Sequence, residues 1–173
     1  MTIQAGAVSY KQDLFSNPAA LLATGQDTPD ILARARAEAT AQRLPYAGII
    51  SPEQAWGLVQ AGRGVLVDVR SAEERKFVGH VSGSIHVPWA TGLNLQRNPR
   101  FVRELEAKVK KDDVVLLLCR SGARSGEAAK AATEGRFRNV FSIADGFEGE
   151  LDARQQRGYQ GGWRFLGLPW VQD

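Results

Sequence analysis

The apolar run Val114-Val115-Leu116-Leu117-Leu118 ends at Cys119, the only cysteine of the chain. The polar stretch Arg120-Ser121-Gly122-Ala123-Arg124-Ser125 follows, and then an Ala-rich, helix-favouring segment to Glu134. A short unbroken apolar run bounded by a glycine-containing loop reads as a strand buried on both faces. Strand, tight loop and helix in immediate succession is the repeating unit of a parallel, helix-covered sheet. The thiol is thereby assigned to the C-terminal end of a strand and the N-terminal end of a helix.

That position carries chemistry. Open α/β sheets bind ligands at the C-terminal ends of their strands. A helix N-terminus offers unpaired N–H groups and a partial positive charge. Both favour thiolate over thiol, and the thiolate is the nucleophile. Arg120 and Arg124 add charge and forked donors suited to an anion. Gly122 can adopt positive φ, which lets successive N–H groups turn inward as a nest. Ser121, Ala123 and Ser125 complete the cradle. The competing reading is a buried structural thiol, a frequent fate of free cysteine. Strand placement alone would favour it, and the doubly cationic loop argues for function instead.

The rest of the chain fits this frame. Its 173 residues suggest one domain with an appendage. A hydrophobic content of 43% suffices for a core, and 24% charged residues argue against disorder. Net charge is only +3, and no basic run interleaved with aromatics suggests a nucleic-acid face. No apolar run approaches the ~20 residues of a membrane helix, and no secretory signal is recognisable, so the cytoplasm is the expected location. With one Cys and two His, a metal site lacks ligands, and a C-x-x-C redox pair is absent. No cofactor is expected.

Periodicity and capping predict the elements. Residues 1–47 hold Ala-rich helical stretches, notably Asp30 to Arg43, with starts at Asn17-Pro18 and Thr28-Pro29-Asp30. Ser51-Pro52-Glu53-Gln54 is a capping-box pattern. Val65 to Val69, Ile85 to Val87, Val114 to Leu118 and Val140 to Ile143 read as strands. Helices are expected from Asn98-Pro99 to Val109, from Ser125 to Glu134 and from Phe147 to Gln156. The tail is loop-like. There is no internal repeat and no second Cys loop.

The Cys119–Ser125 stretch resembles the active-site loop of rhodanese-like sulfurtransferases. Leu66-Val67-Asp68-Val69-Arg70 resembles the family's early strand motif, and Gly79-His80-Val81-Ser82-Gly83-Ser84-Ile85-His86-Val87-Pro88 its second motif. Asp145-Gly146-Phe147-Glu148-Gly149 and Gly162-Trp163 to Trp170 resemble its C-terminal motifs, in the family's order. The likeness runs from about Ile49 to Trp170 and leaves the first 45 residues unmatched. Cysteine phosphatases share the strand–loop–helix, but their loop is one residue longer and usually has His before the Cys. Here four residues separate Cys119 from Arg124, and Leu118 precedes the Cys.

The resemblance implies a single-domain sulfurtransferase. It takes a sulfane sulfur from thiosulfate or a similar donor through a Cys119 persulfide, and passes it to cyanide or a thiol. The alternative is a carrier or regulatory module that delivers the persulfide to a protein partner. A cationic residue next to the Cys, as Arg120 is, goes with thiosulfate in the family, whereas a small one goes with mercaptopyruvate. Asp68 is expected to pair with Arg124 and fix the loop, or else to act as a helix cap or surface ion pair, and Arg70 to play a supporting part. His80 and His86 titrate near neutrality, but sulfur transfer needs little proton shuttling. Trp89, Phe147, Trp163 and Trp170 are candidates for pocket walls or, more simply, for the core. For residues 1–47 the expectation is helices docked on the catalytic part, residues 48–173, with Phe15 and Ile31 buried. A homodimer contact through this extension is the alternative.

Overall fold

The computed structural model describes residues 28–172. In chain order the elements are α1 (Thr28–Ala41), β1 (Gly48–Ile50), α2 (Pro52–Gln60), β2 (Val65–Asp68), α3 (Ala72–Val78), β3 (Ile85–His86), β4 (Ala90–Thr91), β5 (Gln96–Arg97), α4 (Phe101–Glu106), β6 (Val114–Leu118), α5 (Ala123–Glu134) and β7 (Asn139–Ile143). Five strands pair in parallel in the order β1-β7-β6-β2-β3, and β4 and β5 form a separate antiparallel ladder.

β6 lies at the centre of this sheet, and its side chains sort by the period of two that a strand imposes. Val115, Leu117 and Cys119 join one apolar cluster with Phe101 and Leu105 of α4 and Ala128 and Ala132 of α5. Leu116 and Leu118 join the other, with Leu58 of α2 and Ile31 of α1. Helices therefore cover both faces, which is why β6 reads as an unbroken apolar run rather than an alternating one. No helix among the described residues is long and apolar enough to cross a membrane.

Several boundaries and elements differ from the sequence reading. α5 begins at Ala123, two residues before Ser125, because Gly122 turns the chain with φ 97°. α4 ends at Glu106, although Val109 is still buried. β1 and α3 carry no strong apolar period and were not foreseen. α3 has no buried residue, so it shows no stripe to recognise. Its start is nevertheless a complete capping box. Ser71 Oγ accepts from Glu74 N at 3.2 Å, and Glu74 Oε2 accepts from Ser71 N at 3.0 Å. The helix expected over 147–156 is absent. Positive φ at Gly149 and Gln155 interrupts it, after Asp145 and Gly146 have already turned left-handed.

At the N-terminal side, α1 buries Ile31, Leu32, Ala35 and Ala39. A Cβ at Gly48 would lie 2.7 Å from the carbonyl oxygen of Ala35, so α1 packs directly on the edge strand β1 of its own chain. The Asn17-Pro18 start and Phe15 lie outside the described residues.

Candidate active site

Cys119 is the first residue after β6 and is 1% exposed. The backbone N–H of Gly122 donates to its Sγ at 3.1 Å. The left-handed conformation of Gly122 turns that N–H inward. A side chain at position 122 would meet nothing closer than 3.4 Å, so the demand for glycine is conformational. Cys119 Sγ lies 3.3 Å from Ser125 Oγ, which donates to the Gly122 carbonyl at 2.9 Å. Ser125 Oγ is also 2.8 Å from Ser142 Oγ of β7. The sulfur thus sits over the first turn of α5, against an oriented N–H and a hydroxyl.

Arg124 and Glu74 form a two-pronged ion pair, with Nη1–Oε2 at 2.7 Å and Nη2–Oε1 at 2.6 Å. The Glu74 bonds hold the Arg124 guanidinium above its usual pKa, against the opposing effect of burial. Burial pushes the Glu74 carboxyl up. The Arg124 bond and charge and the Ser71 N–H together outweigh it, and the carboxyl lies below the usual carboxylate range. This pairing corrects the expectation for Asp68. Asp68 is fully buried and accepts from Arg70 Nε at 3.0 Å, Arg70 Nη2 at 2.7 Å and Arg75 Nη1 at 2.9 Å. The unforeseen helix α3 delivers Glu74 to Arg124 and Arg75 to Asp68.

Arg70 is also fully buried, its guanidinium 4.0 Å from the centre of the Phe147 ring and donating to Gly79 O at 2.8 Å. Asp68, Arg70 and Arg75 tie the end of β2 to α3, and α3 in turn holds the loop through Glu74. Arg120 differs from these cations. It has no ion-pair partner among the described residues, and its Nε is buried without a hydrogen bond.

The loop is held from behind by the turn after β7. Phe147 N donates to Cys119 O at 2.8 Å, and Glu148 N to Arg120 O at 2.9 Å. The approach is so close that a Cβ on Gly146, where φ is 59°, would overlap the Cys119 carbonyl. Trp163 N donates to Gly146 O at 2.8 Å, which carries the support one layer further. The aromatic candidates divide accordingly. Phe147 and Trp163 are wholly buried, Trp89 stacks edge-on against Phe101 at 5.1 Å, and Trp170 meets Phe147 edge-on at 6.0 Å. They pack the core and the buttress. His86 Nε2 bonds Arg70 O at 2.8 Å, and burial lowers its pKa. His80 bridges Val171 through its backbone. Neither histidine side chain bonds the loop.

Sequence reasoning missed Glu74 and Ser142. The Ser71-x-x-Glu74 spacing was an available signal for the first. For Ser142 the signal is only its register opposite Leu117, which requires the sheet to be known.

A sequence model of the rhodanese-like domain matches residues 51–162. A solved structure, Rv0390 from M. tuberculosis, is 44% identical with a TM-score of 0.68, covering 74% of this chain and 99% of that one. An uncharacterised protein of Rickettsia prowazekii is 35% identical over 117 residues, which is 65% of this chain and 87% of the relative. The thiosulfate sulfurtransferase GlpE of Actinobacillus succinogenes is 29% identical, over 69% of this chain and 86% of the relative. The chain belongs to the rhodanese-like family, whose activity at the family level is sulfur transfer.

Proposed function

We propose that this protein moves a sulfane sulfur from thiosulfate, or a donor like it, to cyanide or a small thiol through a persulfide on Cys119. The observation that carries this reading is the Gly122 N–H directed at Cys119 Sγ at 3.1 Å over the start of α5. The Cys119 thiolate attacks the outer sulfur of the donor. A new S–S bond forms as the bond to the sulfonate breaks, and sulfite leaves with the electron pair. The acceptor then attacks the outer sulfur of the persulfide, and the Cys119 thiolate is the leaving group.

Ser121, Gly122, Ala123 and Ser125 line the cradle with N–H groups that hold negative charge as an oxyanion hole does, where one donor is worth about 3 kcal/mol of barrier. Because Arg124 is committed to Glu74, Arg120 is the cation left to meet the sulfonate. Arg124 fixes the loop, and Asp68 and Arg70 anchor α3 behind it. The GlpE relative is a thiosulfate sulfurtransferase, which supports the choice of donor.

Cys119→Ser tests the reading, since an alcohol is a far weaker nucleophile at neutral pH. The wild type should gain the mass of one sulfur on treatment with thiosulfate and turn over with cyanide. The variant should fold and do neither. Retained transfer by the variant, or no mass gain by the wild type, sinks the assignment. Arg120→Gly should move donor preference away from thiosulfate. An unchanged thiosulfate-to-mercaptopyruvate ratio would remove Arg120 from donor choice. Slow turnover with a long-lived persulfide would favour delivery to a protein acceptor.

A further inference from the structure

Ser125 Oγ sits among three polar partners: Cys119 Sγ at 3.3 Å, Gly122 O at 2.9 Å and Ser142 Oγ at 2.8 Å. A hydroxyl has one proton to give and two lone pairs to receive. With Cys119 protonated, the thiol donates to Ser125 and Ser125 donates to Gly122 O. Ser142 must therefore donate to Ser125. Ser142 is 3% exposed and pairs in register with Leu117, so its side chain shares the face of the sheet that carries Leu117 and Cys119. Among the described residues its hydroxyl has no other hydrogen-bond partner.

When the thiol proton leaves to solvent, the sulfur can only accept. The Gly122 N–H supplies one donor. Ser125 supplies a second if its proton swings from Gly122 O to the sulfur. That swing leaves no orphan, because Gly122 O still accepts from Gly126 N at 3.2 Å. It also leaves the Ser125 oxygen without the thiol as a donor, and Ser142 is then the donor that remains. A hydroxyl that accepts a hydrogen bond is a stronger donor itself.

We propose that Ser142 is a positioning residue for the nucleophile: its buried hydroxyl holds and polarises Ser125, so that Ser125 donates to the Cys119 thiolate. The inference rests on the reading of Cys119 as the nucleophile. The charged groups on the surrounding segments are Arg120 and Arg124 of the loop, Glu127 and Lys130 further along α5, Glu73, Glu74, Arg75 and Lys76 of α3, Asp68 and Arg70 at the end of β2, and Asp145 and Glu148 after β7. Substitution of Ser142 alters none of them.

The test is the ultraviolet absorbance of the thiolate as a function of pH in the full-length protein, where the single cysteine supplies the only thiolate and the scan stays below the range in which the three tyrosines ionise. Ser142→Ala should move the titration midpoint upward by about half to one pH unit, which means roughly three- to tenfold less thiolate at a fixed pH below it. Ser125→Ala should move it at least as far, and the double variant no further than Ser125→Ala alone. Ser142→Thr, which keeps the hydroxyl, should return the midpoint towards the wild type. If the threonine variant does not fold, comparison of the single and double alanine variants decides the matter. An unchanged midpoint in Ser142→Ala, or a full additional shift when Ser125 is already alanine, overturns the proposal. The readout is ionisation rather than turnover. Sulfur transfer retained by Cys119→Ser would defeat the functional reading and leave this result standing on its own.

Discussion

Glu74→Gln isolates the contribution of the fork that holds the candidate active-site loop. The replacement is nearly isosteric and spares the helix cap, since glutamine serves the capping box at the same position in α2, where Gln54 bonds Ser51. What it removes is the charge opposite Arg124 and one of the two acceptors at 2.6 and 2.7 Å. A hydrogen bond to a charged group contributes about 1.5–3 kcal/mol, and breaking a fully buried pair costs about 3–5 kcal/mol. Exposed pairs contribute about 0–1 kcal/mol. Here the two side chains are 17% and 16% exposed, so solvent screens part of the interaction. The loss should be about 2 kcal/mol, which for a domain of this size lowers Tm by roughly 4–8 °C.

The pH dependence follows from the sign of the shift. The Glu74 carboxyl lies below the usual range in the folded protein. Its stabilisation is therefore complete above the ordinary carboxylate value and is lost as pH falls through the lower, folded one. Arg124 is held above its usual value and stays charged throughout, so it opens no second window. Melting curves followed by circular dichroism should show a constant gap between wild type and variant from neutrality down to about pH 5, narrowing as the pH falls below the ordinary carboxylate range. A gap near zero at neutral pH, or one that persists undiminished into acid, refutes the reasoning.

Two further substitutions separate the buttress from the appended helix. Gly146→Ala should push the turn after β7 off the Cys119 carbonyl and lower sulfur transfer roughly ten- to hundredfold, as displacement of a reacting group does. Kinetics with thiosulfate check this, and wild-type turnover would show that the close approach is dispensable. Ile31→Ala, on the buried face of α1, should cost about 2 kcal/mol in denaturant unfolding with turnover per folded molecule unchanged. A selective loss of turnover would instead connect α1 to the site.

The parts of the site legible in the sequence are those in which cause and effect are neighbours in the chain. The apolar run of β6, the glycine that must turn left-handed and the Ala-rich start of α5 are contiguous, so Cys119 could be placed from local rules alone. The choice of carboxylate for Arg124 was not local. By sequence, Asp68 at the end of a neighbouring strand was as plausible a partner as any. The choice depended on α3, which no periodicity betrayed because none of its residues is buried. Once α3 forms, Glu74 takes Arg124, and Asp68 is left to two other guanidinium groups. Ser142 was illegible for a related reason. A serine in an apolar strand says nothing until the register shows what lies on its face.

The motif Asp145-Gly146-Phe147-Glu148 was legible as a pattern but not as a mechanism, and the backbone supplies the mechanism. In a trans peptide the carbonyl of one residue and the N–H of the next point in opposite directions. Phe147 N draws the Cys119 carbonyl towards the turn after β7, and Glu148 N draws the Arg120 carbonyl the same way. The N–H groups of Arg120 and Ser121 are thereby turned to the opposite side of the loop backbone. Gly122 completes the reversal: its carbonyl is taken by Gly126 N and Ser125 Oγ, and its N–H goes to the sulfur. An anion cradle needs its carbonyls occupied elsewhere as much as it needs donors, because a carbonyl left facing the sulfur would repel the charge the donors attract. That requirement is why a turn more than twenty residues downstream belongs to the site, and why its glycine can bear no side chain against Cys119.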